Sequence, residues 1–211
     1  MGTIARVPLP ALPRVVDQVE KLIEIGATGP LTPDLLRKEA AALPDRPGLL
    51  VVGGLAPSVI APLMRRAGRP GFVVEDMTDA DDFAPVTEVP DAPVWLLEDL
   101  ERGDDLQNAS PAEAEEQFAT RGRVPMLLTE GVQWVLQAPE VLERNHCFMT
   151  TGSRLRKANG RLDARTPAVW ISNGTGRDGK ERRDAPKVGW CWWNNRHTWL
   201  GFGSGARRYA V

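Results

Sequence analysis

Cysteine is scarce in this 211-residue chain: Cys147 and Cys191 are its only two. Two thiols exclude a disulfide scaffold and are expected to stay reduced. Long apolar runs are missing as well. None nears the roughly 18 residues that a membrane span requires, which excludes an integral helical membrane protein. The opening residues 1–16 have no basic segment feeding an apolar one, so no signal peptide is expected and the predicted location is cytoplasmic. Internal repeats and low-complexity tracts are absent. Lysine is sparse, with 5 lysines against 21 arginines. Arginine excess is the pattern of phosphate recognition, but a GC-rich genome gives the same bias through codon usage.

What the chain does have is a globular composition, 42% hydrophobic and 26% charged, and a polarised charge. Residues 1–150 hold 13 basic and 24 acidic side chains, a net of −11, whereas residues 151–211 hold 13 and 4, a net of +9. Two accounts are open. Near-neutrality overall favours acidic and basic parts docking on each other, while a basic segment also fits an anionic partner such as nucleic acid, a nucleotide or a phosphorylated metabolite.

Val15, Val16, Val19, Leu22 and Ile23 recur at helical spacing between Pro13 and Gly26, and Thr32-Pro33 reads as the cap and first residue of a second helix. From Leu49 the pattern changes to short apolar runs. Residues 49–52, 72–74 and 94–97 read as strands, with a helix over 59–67 that Pro62 shortens; that order predicts a parallel pair joined by a right-handed crossover. Ser110-Pro111-Ala112-Glu113 is a capping box that starts a helix running to Gly122. Short helical pieces follow over 132–136 and 140–144. The final third reads as β-rich, with strands over 147–150 and 168–171 and a hairpin whose arms, 188–193 and 196–202, flank Asn194-Asn195. The expected fold is a mixed α/β single domain over 1–211. It comprises amphipathic N-terminal helices (1–46), an α/β part with a short parallel or mixed central sheet (47–150), and a basic part (151–211) built on an antiparallel, Trp-rich C-terminal hairpin.

Three stretches, 69–79, 162–172 and 187–201, resemble a family of uncharacterised actinobacterial proteins known only as a domain of unknown function. The resemblance covers most of the chain and implies a bacterial, cytoplasmic protein. It supplies no activity and no catalytic residue.

Three constellations carry possible chemistry. If the first three strands are parallel, their C-terminal ends gather Gly53-Gly54, Glu75-Asp76 and Glu98-Asp99, and Asp76 with Asp99 could hold Mg²⁺. Acidic residues after strands are otherwise ordinary turn formers. Gly174-Thr175-Gly176-Arg177-Asp178-Gly179 has the spacing of a dinucleotide-binding turn, but the following residues 180–187 have no apolar stripe, so that reading fails. A basic loop carrying Arg177, Lys180, Arg182 and Arg183 remains, either as an anion nest or as a solvated loop.

The third constellation is aromatic. With Asn194-Asn195 as the turn, Trp192 faces His197 and Trp190 faces Trp199. Trp190, Trp192, Trp199 and His197 then share one face, and Cys191, Trp193, Arg196 and Thr198 the other. Such a platform either packs in the core or stacks a base or sugar. The register separates Cys191 from His197, which argues against a zinc site, and leaves a Cys147–His197 dyad geometrically open. Three functions follow. The first is a binding module for an anionic, ring-containing ligand, a nucleotide or related phosphorylated metabolite, held by Trp190, Trp192, Trp199, His197, Arg177, Arg182 and Arg183. The second is an Mg-dependent hydrolase or transferase acting through Asp76 and Asp99. The third is a non-catalytic scaffold or protein-interaction module.

Overall fold

The computed structural model describes residues 9–144 and 146–211; the opening eight residues, on which the reading of no leader partly rests, lie outside them. In chain order the elements are α1 (Val15–Glu24), α2 (Pro33–Ala42), β1 (Leu49–Val52), α3 (Pro57–Ile60), β2 (Arg65–Arg66), β3 (Arg69–Pro70), β4 (Phe72–Val73), β5 (Phe83–Pro85) and β6 (Val94–Glu98). Then come α4 (Pro111–Arg121), β7 (Val124–Pro125), α5 (Leu128–Gln137), β8 (Cys147–Met149), β9 (Ser153–Leu155), β10 (Arg165–Ile171), β11 (Pro186–Trp192), β12 (Leu200–Phe202), β13 (Ser204–Gly205) and β14 (Arg207–Tyr209). The fold is mixed α/β, as its sequence indicates. Among the described residues no helix is long and apolar enough to cross a membrane.

α2 and α4 begin where their side-chain caps place them. Thr32 Oγ1 accepts from the Leu35 amide at 3.3 Å with Pro33 in the first turn, satisfying a donor that the helix itself cannot. Ser110 and Glu113 form both bonds of the capping box, Glu113 N–H to Ser110 Oγ at 3.3 Å and Ser110 N–H to Glu113 Oε2 at 2.8 Å. The helix expected over 59–67 is cut short. The α-helix ends at Ile60, a single 3-10 turn follows over Ala61–Leu63, and the chain is extended by Arg65. Pro62 sits within that turn and cannot donate to a longer helix.

The strands exist where apolar runs predict them, but they are partnered differently. β1 and β6 are antiparallel, Leu49 opposite Leu97, and β14 adds to the far side of β6. β4 belongs to another, five-stranded mixed sheet ordered β12-β8-β10-β11-β4. The parallel crossover between residues 49–52 and 72–74 is therefore not formed. The C-terminal hairpin is corrected too. β11 pairs antiparallel with β10 along its whole length, Trp192 opposite Arg165 and Trp190 opposite Pro167. Residues 193–199 carry no strand, and β12 runs parallel to β8. Seven consecutive ladder positions along β10 outweigh the local hairpin that Asn194-Asn195 allows.

The free edge of β1 is closed by glutamines. Gln18 of α1 accepts from Leu50 N–H at 2.9 Å and donates to the Gly48 carbonyl at 2.8 Å, while Gln133 of α5 accepts from Val52 N–H at 2.8 Å and donates to its carbonyl at 3.0 Å. These side chains occupy the places of a missing strand, where buried backbone groups need partners. One apolar cluster runs from Val19 and Leu22 through β1, β6 and α5 to Phe148, Val169 and Val188 on one face of the five-stranded sheet. A second cluster on the other face joins Cys147, Met149 and Ala168 to Ala114 and Phe118 of α4 and to Leu200 and Phe202.

The opposed charges meet inside the chain. Arg165 holds Asp79 through bonds of 3.0 and 2.6 Å, Arg177 reaches Asp76, Arg182 reaches Glu75, Arg196 pairs with Glu113, Arg207 with Glu98, and Arg208 with buried Glu130. Each pair joins the basic third to the acidic remainder.

Candidate functional site

The outer half of the five-stranded sheet carries two adjoining cavities. Trp170, near the end of β10, lies across Gly189 of β11: a Cβ at that position would fall 2.4 Å from the indole. Only glycine leaves room for the ring there. Lys187, opposite Trp170 in the ladder, places its ammonium 4.6 Å from the indole centroid, a distance for cation–π attraction. Trp170, Asn173 and Trp190 border both cavities.

The first cavity, about 380 Å³, gathers His146, Cys147, Cys191, His197 and Trp199. Both cysteines and both histidines of the chain therefore face one space. The hairpin register had set Cys191 and His197 on opposite faces; the turn over 193–199 folds His197 back, stacking it on Trp199 with centroids 4.6 Å apart. Neither thiol is activated. Burial pushes the Cys147 thiol up to about 12, and its Sγ–H donates to the Trp199 carbonyl at 3.5 Å rather than to an imidazole. Burial also raises Cys191, opposed in part by the Asn195 amide at 3.8 Å from its sulfur. A thiolate nucleophile needs the reverse shift.

The second cavity, about 310 Å³, is ionic, with Arg177, Arg182 and Lys187 facing Glu75, Asp76 and Asp178. Arg177 Nη1 lies 2.6 Å from Asp76 and Arg182 is 3.5 Å from Glu75; these pairs are largely in water. Lys187 is more enclosed, 2.6 Å from Asp178, which also accepts from Ser172 Oγ at 2.6 Å. That hydroxyl in turn accepts from Gly174 N–H, so the glycine-rich loop is pinned to the sheet at its base.

Of the residues singled out from sequence, Trp190, Trp199 and His197 line the first cavity, and Arg177, Arg182 and again Trp190 line the second. Trp192 meets Trp190 edge-on at 4.5 Å yet is half exposed and outside both, and Arg183 is exposed and outside both. Asp76 and Asp99 are not brought to a common sheet edge. They follow strands of different sheets, and Asp99 is 3.0 Å from Arg123 while Asp76 holds Arg177. Among the described residues no cluster of three or more His, Cys, Asp or Glu is arranged to hold a metal ion.

The matching span decides the family, since a family model of unknown function, DUF5701, matches residues 21–211. The chain belongs to the DUF5701 family. Both DUF5701 cavities fall within the matched residues. No curated protein and no solved structure matches the chain.

One part of this DUF5701 site has no signature in the linear pattern. Arg102 is almost fully buried behind the first cavity. Its guanidinium donates from Nε to Asp104 Oδ1 at 2.8 Å, from Nη2 to Asp104 Oδ2 at 2.6 Å and from Nη1 to the Val141 carbonyl at 2.7 Å; Nη2 also lies 3.1 Å from His146 Nδ1. Gly103, at φ +74°, lets the backbone press against β12: a Cβ there would sit 2.3 Å from the Phe202 carbonyl. An Arg-Gly-Asp tripeptide after a short strand was the only available hint, and it does not reveal burial.

Proposed function

We propose that the protein is a binding module for an anionic, ring-containing ligand of the nucleotide class, its ring in the first cavity and its phosphate in the second. The observation that supports this reading is the shared wall: an aromatic compartment and a cationic one meet at Trp170, Asn173 and Trp190. Base–aromatic stacking contributes about 1–3 kcal/mol per base. The arginines are paired, but exposed ion pairs are worth only about 0–1 kcal/mol. Phosphate can therefore take Arg177 and Arg182 from Asp76 and Glu75 at small cost, and it offers charge-assisted bonds in return. An actinobacterial source and a cytoplasmic setting accompany this reading, which the arginine bias supports.

The test is a titration of nucleoside monophosphates and a short oligonucleotide at low salt, followed by tryptophan fluorescence. Binding is expected to alter the emission, to weaken in 0.5 M salt, and to weaken about tenfold or more in Trp199→Ala and in the double variant Arg177→Ala/Arg182→Ala. Trp199 and Arg177 are exposed, and Arg182 is partly exposed, so neither change empties the core. No response to any of these ligands would refute the reading.

A further inference from the structure

We infer that the imidazole of His146 carries its proton on Nε2 and keeps the lone pair of Nδ1 for Arg102, and that this Nε2–H reads an acceptor atom on the ring of the ligand. The identity of the ligand rests on the preceding proposal; the state of the imidazole does not.

The argument begins at Arg102. A guanidinium has five N–H donors and no lone pair to offer, so whatever approaches it must accept. Its bonds to Asp104 and to the Val141 carbonyl fix the plane and direction of the group. Nη2 lies 3.1 Å from His146 Nδ1. That nitrogen must therefore keep its lone pair, and a neutral ring whose Nδ1 accepts bears its proton on Nε2. Two carboxylates lie near Nδ1, Asp104 at 3.7 Å and Glu143 at 3.9 Å. Both are within ion-pair range of the ring but beyond its hydrogen-bond reach, and both also pair with Arg102, Asp104 at 2.6 Å and Glu143 at 3.6 Å.

The Nδ1 side of the ring is thus turned to the buried arginine, and His146 lines the first cavity together with His197 and Trp199. A partly enclosed N–H needs an acceptor, and the cost of leaving it unpaired is what makes it selective. An oxo- or aza-substituted ring such as a nucleobase supplies that acceptor; a plain phenyl ring does not. His146 is a binding residue on this account, and Arg102 is the positioning residue that sets its tautomer.

Two-bond ¹H–¹⁵N spectroscopy of the intact protein at pH 7.5 tests the imidazole directly. The chain has only two histidines, and a His146→Gln variant assigns their signals. His146 is expected to show an unprotonated Nδ1 and a protonated Nε2, and Arg102→Met to convert it to a tautomer mixture with the circular dichroism retained. A protonated Nδ1 in the wild type would overturn the inference even if Arg102→Met fails to fold. Titration with UMP and with phenyl phosphate tests the recognition. His146→Phe is expected to weaken UMP about tenfold, a single hydrogen bond's worth, and to leave phenyl phosphate within about twofold, whereas His146→Gln keeps UMP within about threefold. Equal loss for both ligands in His146→Phe would overturn the reading of the ring. Failure of both ligands to bind the wild type would remove the nucleotide proposal and the recognition with it, while the tautomer measurement would still stand or fall on its own spectrum.

Discussion

Replacing Arg208 with Met should cost about 4 kcal/mol of stability, a figure that follows from how Glu130 is held. Glu130, in the first turn of α5, has no exposed surface. Its carboxylate accepts from Leu127 N–H at 2.8 Å, from Trp95 Nε1 at 2.9 Å, and from Arg208 through Nε at 2.7 Å and Nη2 at 2.9 Å. The two neutral donors remain after the substitution and the countercharge does not. Stranding one member of a buried pair costs about 3–5 kcal/mol. Arg208 also donates to the Pro125 and Glu88 carbonyls, and losing partners there adds to the upper end. For a chain of this size 1 kcal/mol moves Tm by about 2–4 °C, so the expected drop is about 8–16 °C. Urea and thermal denaturation of the wild type, Arg208→Met, Glu130→Gln and the double variant would measure it. The double variant should lose at least about 2 kcal/mol less than the sum of the singles, because the uncompensated charge is then gone. A single Arg208→Met variant within about 1 kcal/mol of the wild type would refute the argument that this charge is buried and paired.

Cys147 gives a pH signature. Its thiol rises from 9.0 to about 12 on burial, so the folded chain holds the proton more tightly than the unfolded one. The resulting stability is whole below pH about 9 and is lost toward pH 12, at up to about 1.4 kcal/mol per pH unit; Cys147→Ala should flatten that slope relative to the wild type in urea melts at pH 8.5 and 10.5. Ser110→Ala removes a capping side chain of α4 and should cost about 1 kcal/mol by denaturation, with an unchanged midpoint showing that the cap contributes nothing.

The sequence was legible wherever structure is decided locally. α1, α2 and α4 stand where caps, periodicity and stops place them, because those signals act within one or two turns of chain. The apolar runs 49–52, 94–97 and 168–171 also lie in strands, the last of them extended back to Arg165. Partnership was not legible. A short apolar run such as Leu49-Leu50-Val51-Val52 looks the same in a parallel or an antiparallel pair, and what flanks the β1–β6 pair, β14 on one side and the glutamines of α1 and α5 on the other, lies far away in sequence. The hairpin failed for the same reason: a two-residue turn is a local preference, and β10 offered β11 a longer ladder. At the candidate site, Trp190, His197 and Trp199 do line one cavity, but Cys191, which alternation set on the opposite face, lines it too, and Trp192, set on the same face, lies outside it. Alternation missed Trp170, whose role depends on Gly189 in the neighbouring strand, and it missed Arg102, whose burial comes from β12 closing over Gly103.

The two larger sheets are completed from the far end of the chain. Among the described residues β4 finds its only ladder partner in β11, and β6 keeps one side open until β14 arrives at Arg207–Tyr209. Contacts of such long sequence separation make folding slow, since loop closure must precede any gain from the ladder. A nascent chain therefore carries Leu96 and Leu97 on an uncapped strand while the residues between β6 and β14 are made, the kind of edge that recruits other chains. Sensitivity to any truncation that removes residues 200–209, which hold β12, β13 and β14, is expected from the order in which the strands become available rather than from the stability of the finished molecule.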